Sequence, residues 1–450
     1  MTSSSWATER RSTVDSRQST ARSRLSAEPG TALANRIAAR FLLPGPVEAV
    51  DFPEKGNINR HTYLVESCGA ERRQYLLQQI NQQVFTRPRA VMAAMIACIE
   101  AQRANLARGM IPADEPWEPI TLVPTREGAP FLEASDRRGT AVWRLMIRIA
   151  GTSTYKSLAA VEPARRLPLA EQAGMGLAIF GTLNGGVDVS RLESPLPGYR
   201  DTELYYDQLL SVLAGHRTLD EAASLLPRDE EVRQATQQHF LVHLPPDEAR
   251  RRLDDPAVRS FVDFLRGDPS RALVLAGALR AGVIRRTPIH GDTKLENFLF
   301  DARSGRVRAL VDLDTIMAHT WLSDFGDMVR SLCNVAGERE ADPERIQVDM
   351  EVYRAVLTGF LRGAGNVTAA ELELMVDSVE AIALELGLRF LTDYLRGDSY
   401  FRLGPADPPD LNRIRGLAQL TLAQRLRARA DEARALVERL RRELGVTCVS

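Results

Sequence analysis

The sequence predicts an α+β chain: a small antiparallel sheet carrying one helix, followed by a larger, mostly helical region. Three observations carry that expectation. Residues 31–150 hold five runs with strand character and one long helical run. After Gly151 the apolar residues recur at helical spacing in piece after piece. One strand-turn-strand segment, 287–315, interrupts the helices. At 450 residues, 44% hydrophobic and 26% charged, the chain suits one large or two ordinary domains rather than one small core. The expected organisation is a disordered tail at 1–30, a first lobe at 31–150 and a helical second lobe at 151–447.

The elements follow in order. TALANRIAARFLL, from Thr31, has helical spacing and stops before Pro44, Gly45 and Pro46. VEAVDFPEKGNINRHTYLVE reads as strand, turn, strand, with the turn at Lys55, Gly56 and Asn57, where Gly and Asn tolerate positive φ. QYLLQQI is a third strand. Pro88 can open a helix, and PRAVMAAMIACIEAQRANLA makes one of about five turns. EPITLVP and AVWRLMIRIA complete the sheet. Beyond Gly151, LAEQAGMGLAIFGTLNGG, TELYYDQLLSVLAG, DEAASLL, EEVRQATQQHFLVHL and PAVRSFVDFLRG are amphipathic helical pieces. NFLF and VRALVDL form a hairpin about Ser304 and Gly305. Helices then run to the C-terminal Arg- and Leu-rich stretch, which is expected to pack on its own lobe rather than on a partner.

Composition removes several classes. A net charge of -1 gives no general electrostatic argument for nucleic acid. No apolar run reaches the roughly 18 residues that span a bilayer, so no membrane association is expected. The first 30 residues lack a hydrophobic signal core; their Ser, Thr and Arg content fits a disordered tail and would also fit a transit peptide. Cys68, Cys98, Cys333 and Cys448 form no close pair, which suits a reducing, cytoplasmic compartment. Lysine occurs only at Lys55, Lys156 and Lys294 among 58 basic residues; the rest are arginine.

The chemistry concentrates in His290-Gly291-Asp292-Thr293-Lys294-Leu295-Glu296-Asn297, of the form H-x-D-x-x-x-x-N. Phosphoryl transfer needs a carboxylate to orient a hydroxyl and hard oxygen ligands for Mg2+ on the nucleotide phosphates. Asp292 and Asn297 have the catalytic-loop spacing. Asp312, across the hairpin, can return beside Asn297. A lone H-x-D is uninformative, and each residue could merely cap a turn; three at these spacings on strand-loop-strand favour chemistry.

This constellation resembles the aminoglycoside phosphotransferase and choline kinase superfamily, over roughly residues 31–440. It is most similar to the N-acetylhexosamine kinase-like branch through GNINRHTYLVE, YLLQQINQQVF, RPRAVM, HGDTKLENFLF, VDLDT and RFLTDYLRGDSYF. The resemblance implies a bilobal protein-kinase-like fold with ATP in the cleft. It implies Asp292 as catalytic base, Asn297 and Asp312 as Mg2+ ligands, and Lys294 on the transferring phosphoryl group. It places Gly56, Asn57 and Asn59 over the phosphates and beside the acceptor. Ile149 falls in the linker expected to bond adenine through its backbone. Arg389 and Tyr400 match sugar-pocket positions, where an arginine donates and a ring covers a sugar face. The third strand lacks the usual kinase lysine, and Gln78 stands in its place; Lys55, a nearby arginine, or Mg2+ would then cover the phosphates. The function implied is an ATP- and Mg2+-dependent kinase of a small-molecule hydroxyl, most naturally the anomeric hydroxyl of an N-acetylhexosamine. Aminoglycoside, homoserine or another alcohol remain open as acceptors, as does a non-catalytic nucleotide-binding scaffold.

Other motifs are expected to be structural. Asp324, in the letters Asp-Phe-Gly, lies too far along for the hairpin placement, and the resemblance implies that it begins a helix and braces the catalytic loop. Gly174 and Gly176 with Gly181 superficially match a nucleotide-binding glycine pattern, but they follow no strand and read as close helix packing. His239 and His243 lack a third zinc ligand nearby. Asp314 is open between a second metal contact, an acceptor contact and a solvated turn.

Overall fold

The computed structural model describes residues 29–53, 59, 61–68, 72–136, 139–365 and 367–448. The expectations for the tail over 1–28, and for Lys55, Gly56 and Asn57, lie outside these residues.

The small lobe opens with α1 (Pro29–Ala38), β1 (Val47–Asp51), β2 (Thr62–Ser67) and β3 (Gln74–Gln79). Then come α2 (Pro88–Ala107), β4 (Leu132–Asp136) and β5 (Gly139–Ile147). The five strands form one antiparallel sheet in the order β1-β2-β3-β5-β4. Strand alternation gives the sheet two destinations. Tyr75, Leu77, Trp143 and Leu145 join Ala34 and Phe41 in a core beneath α1. Val142 and Arg144 point the other way, towards α2, whose Val91, Met95 and Cys98 belong to the core of the large lobe.

EPITLVP does not form a named strand, and the fourth strand is Leu132–Asp136 instead. Pro119 and Pro124 carry no N–H, so the segment keeps only short pairing, with Val123 N–H on Leu145 O at 2.8 Å and Ile147 N–H on Thr121 O at 2.9 Å.

The large lobe begins with the short β6 (Thr152–Ser153) and α3 (Pro163–Leu183). Short helices follow: α4 (Thr202–Leu213), α5 (Glu230–Thr236), α6 (Pro246–Leu253), α7 (Pro256–Gly267) and α8 (Val274–Arg280). Asp220–Leu226, expected as a helical piece, is a run of turns. Leu225 and Leu226 pack on a small cluster with Phe240 and Leu241, and that packing is met by turns rather than by a helix. The interrupting segment contains β7 (Thr287–Ile289), β8 (Phe298–Asp301), β9 (Val307–Leu310) and β10 (Met317–His319). β8 and β9 form the hairpin, with β6 on its edge, and β7 pairs with β10. The chain ends with α9 (Trp321–Cys333), α10 (Met350–Gly363), α11 (Ala369–Arg396), α12 (Leu411–Ala428) and α13 (Ala430–Glu443). Leu426, Leu436, Val437 and Leu440 of the last two helices are buried in the main core, so this stretch packs on its own lobe. No helix among the described residues is long and apolar enough to cross a membrane.

The two lobes make a bilobal, protein-kinase-like fold. Residues 147–151 connect them, and the linker is anchored to the hairpin: Arg308 Nη1 donates to Ala150 O at 3.0 Å and Ala302 N–H to Gly151 O at 2.9 Å.

Candidate active site

The catalytic-loop segment leaves β7 and is held from behind. Asp324, in the first turn of α9, accepts the N–H groups of His290 at 2.6 Å and Gly291 at 2.8 Å. Thr293 Oγ1 donates to Asp324 O at 2.7 Å. Burial pushes the Asp324 carboxyl up to about 6, against the pull of His290 and the two N–H groups. Arg200, buried with φ +61°, donates to Gly291 O at 3.0 Å and pairs with Glu385 at 3.0 Å and Asp327 at 3.2 Å. Gly291 itself has φ +83°, and a Cβ there would meet the carbonyl of Thr315, so only glycine fits. His290 is wholly buried; its Nδ1 faces the Asp292 N–H at 3.3 Å and its Nε2 faces Val311 O at 2.8 Å. These partners assign the proton to Nε2 and make the ring a brace between loop and hairpin.

On this frame the expected residues come together. Asn297 Nδ2 donates to Asp292 O at 2.7 Å and lies 3.3 Å from Asp292 Oδ2. Lys294 Nζ is 3.0 Å from Asp292 Oδ2 and 3.1 Å from Glu296 Oε1. Burial works against the Lys294 charge, but the two carboxylates outweigh it and hold the ammonium above its ordinary range. Val311 N–H donates to Asn297 O at 2.8 Å, so the hairpin delivers Asp312 beside Asn297. Asp312 sits in left-handed backbone, φ 62° and ψ 56°. Its side chain is reached by water from the cleft yet crowded by protein elsewhere. That crowding, then the Asp314 and Asp292 carboxylates, push its carboxyl up. Because water reaches the group, the like charges around it are the more durable part of that shift.

Asp312 has no hydrogen bond or ion pair with any described residue, and Asn297 turns its amide nitrogen away to Asp292, leaving Oδ1 unused. Two hard oxygen donors beside a carboxylate-rich cleft fit Mg2+, which takes one or two protein ligands plus phosphate oxygens. No group of three or more His, Cys, Asp or Glu side chains forms a metal site among the described residues.

The remaining expected positions fall around this centre. Asn59 is buried; its Nδ2 donates to Asp314 Oδ2 at 2.5 Å and its Oδ1 accepts Asn81 N–H at 3.0 Å. Gln78 Nε2 donates to Thr62 Oγ1 at 3.2 Å, and Oε1 accepts from Arg144 Nε at 3.0 Å. Asp314 is not a solvated turn residue: it is buried and paired with Arg144. In the linker, Ile147 and Arg148 spend their N–H groups on Thr121 and Gln74, while Ile149 N–H meets no acceptor among the described residues.

Arg389 and Tyr400 meet on the far side of the loop, with Nη2 3.4 Å from the phenol oxygen. The guanidinium is ringed by Tyr205, Tyr199, Phe401 and Tyr400, with its carbon 4.8, 5.3, 5.4 and 5.6 Å from the ring centroids. Tyr199 Oη donates to Gly291 O at 2.7 Å, which joins this cage to the catalytic loop. Burial pushes the Tyr199 phenol up to about 12. The cage exists because buried Asp393 accepts the N–H groups of Ser399, Tyr400 and Phe401 at 3.1, 3.0 and 2.7 Å, folding the chain back after α11. His239, expected to be structural, packs its ring on Tyr400. Burial, then the neighbouring Arg396 and Arg389, push the His239 imidazole down to about 3. Tyr199, Arg200, Asp393 and Arg144 were not singled out from sequence. An arginine at the centre of the apolar run VWRLMI was a readable signal for the last.

The family model that matches is APH, the phosphotransferase enzyme family, over residues 50–356, more than half of the chain. The chain belongs to this family. The phosphotransferase match runs from the end of β1 through β2–β5, the catalytic loop and the hairpin to the first half of α10. Among solved structures it is similar to the amicoumacin kinase hAmiN in complex with AMP-PNP, Ca2+ and Ami, at 14% identity and TM-score 0.47, covering 90% of this chain and 94% of that one. It is also similar to a microcompartment-associated aminopropanol kinase, at 15% identity and TM-score 0.43, covering 92% and 99%. A third is a Plasmodium vivax ethanolamine kinase, at 11% identity and TM-score 0.39, covering 84% and 82%. As a member of this family, the chain is a phosphotransferase enzyme.

Proposed function

We propose that this phosphotransferase uses ATP and Mg2+ to phosphorylate a sugar hydroxyl, the anomeric hydroxyl of an N-acetylhexosamine being the leading acceptor. The observation that carries the reading is the convergence on one cleft of Asp292, Asn297 and Asp312, the last unpartnered among the described residues, with Asp292 part-exposed and tied by Asn297 and Lys294. Asp292 orients the acceptor hydroxyl and takes its proton. The bond from that oxygen to the γ-phosphorus forms as the bond to the β–γ bridging oxygen breaks, and ADP leaves. Asn297 Oδ1 and Asp312 would hold Mg2+, which supplies positive charge at the β- and γ-phosphate oxygens. Lys294 lies beside Asp292 for the transferring group. Ile149, whose N–H meets no acceptor among the described residues, would bond adenine through its backbone, and Gly56, Asn57 and Asn59 would serve the phosphate side. Gln78 and Asn59 are the least suited of the expected nucleotide contacts, since both ends of each amide are engaged by other protein groups.

The acceptor side supports a neutral sugar over a polycation. Arg389 carries a positive charge next to the catalytic loop, which disfavours a cationic aminoglycoside at close range. Tyr400, 42% exposed, offers a ring face for a sugar. The test is a thermal-shift panel of ATP and Mg2+ with N-acetylhexosamines, aminoglycosides and homoserine, followed by a coupled ADP assay. Sugar-dependent ADP release, lost by a factor of about a thousand or more in Asp292→Asn with ATP binding retained, is the expected result. Undiminished turnover in that variant would remove Asp292 as base, and ADP release only with an aminoglycoside would replace the sugar.

A further inference from the structure

One buried charge has no part in the chemistry above. Arg144 stands in β5 directly opposite Gln78 of β3, on the sheet face that looks towards α2. Kinase-like folds place a lysine on the third strand and pair it with the nucleotide phosphates and a helix glutamate. Here the strand position is Gln78, and the α2 side chain touching Arg144 is Met95, with Nη1 3.4 Å from Sδ. The guanidinium instead grips two acceptors at once, Gln78 Oε1 within the sheet and Asp314 Oδ1 across the cleft. Arg144 and Asp314 side chains are 2% and 3% exposed, so each is spent on the other rather than presented to the cleft.

Asp314 lies two residues after Asp312, whose left-handed backbone is sparsely populated for a residue other than glycine. Such backbone persists only where its flanks are fixed. Upstream, Val311 is tied to Asn297 O and to His290. Downstream, Thr315 Oγ1 donates to His290 O at 2.7 Å, and Asp314 is held by Arg144 and Asn59. Arg144 and Asn59 are the small-lobe members of this clamp, and α2 packs on the same Leu313–Thr315 turn.

We propose that Arg144 is a positioning residue for the metal-binding turn: it fastens Asp314, and through it Asp312, to the small-lobe sheet. The third-strand lysine is thereby replaced by a link between lobe position and metal geometry rather than by another phosphate contact. This rests on the kinase reading above. Lysine cannot substitute, because one ammonium lacks the planar fork that reaches Gln78 and Asp314 together.

The test measures ATP affinity by calorimetry, with Mg2+ and with EDTA, for wild type, Arg144→Lys and the charge-neutral double variant Arg144→Met with Asp314→Asn. Adenosine serves as a probe of the rest of the nucleotide site, and circular dichroism reports folding. In both variants the Mg2+-dependent gain in ATP affinity should fall about ten- to a hundredfold, as for other groups that orient metal ligands, while adenosine binds as in wild type. A full Mg2+ gain in either folded variant overturns the inference. So does a parallel loss of adenosine binding, or failure of both variants to fold, since each marks a merely structural role. A wild-type protein with no Mg2+-dependent ATP binding would instead remove the kinase reading, and this inference with it.

Discussion

At the scale of single residues, the acceptor side depends on a carboxylate that touches no substrate. Asp393 is 1% exposed and accepts three successive backbone N–H groups as well as Arg396 and Asn412. An amide in its place offers one good acceptor and turns an NH2 towards donors. Asp393→Asn is therefore expected to destabilise the protein by about 2–4 kcal/mol, measured by urea unfolding. It should also loosen Tyr400 while leaving ATP binding intact; an unchanged unfolding midpoint would contradict this. The same scale shows what a sequence can hide. Asp292, Asn297 and Asp312 are legible because a loop and a hairpin fix their spacing locally. Arg144 and Asp314 are partners 170 residues apart; the apolar run VWRLMI marks the arginine as unusual, but nothing in the sequence links it to Asp314. The scarcity of lysine pointed to the right doubt, what replaces the third-strand charge, but only packing could show where the nearest buried cation was fastened.

At the scale of elements, periodicity served best where one face meets a core. β2, β3, α2, α3 and the β8–β9 hairpin lie where apolar spacing put them. Failure came where prolines interrupt an edge, as at Pro119 and Pro124, or where a seven-residue amphipathic run has turns available instead. The glycines of α3 illustrate the distinction between pattern and packing. A Cβ at Gly174 would enter the Val356 carbonyl, and one at Gly359 of α10 would enter that of Glu171, so the two helices cross backbone to backbone. Gly181, on the same helix as Gly174, faces open space. Gly359→Ala should cost about 2–4 kcal/mol through overpacking against backbone that cannot yield. Gly181→Ala should instead stabilise by about 0.5–1 kcal/mol through helix propensity. Thermal denaturation of the two variants checks the pair, and equal shifts would mean that the helix crossing is not tight.

At the scale of the whole molecule, the wall behind the catalytic loop is a buried charge network that couples the loop to pH. Two of its acids are shifted in opposite directions. Burial opposes the Asp327 charge, but Arg330 and Arg200 outweigh it and bring the carboxyl down to about 2. A carboxyl more acidic in the fold than in the open chain stabilises the fold at neutral pH, and that share is lost as pH falls from about 4 to about 2. Asp324, raised to about 6 by burial, has the opposite sense: its contribution is present below about 4 and is lost as pH rises through 6. The two effects are separable by substitution. Asp327→Asn leaves Arg200 with Glu385 and Arg330 with Glu338, so the variant should fold. Its deficit in unfolding free energy against wild type should be largest at pH 7 and narrow by about 2 kcal/mol between pH 4 and pH 2. Asp324→Asn should change the pH slope in the window between 4 and 6 and leave the acid limb alone. Urea midpoints at pH 7, 5 and 3 decide the matter, because a gap for Asp327→Asn that stays constant across all three would mean that its carboxylate is not held by the arginines behind the loop.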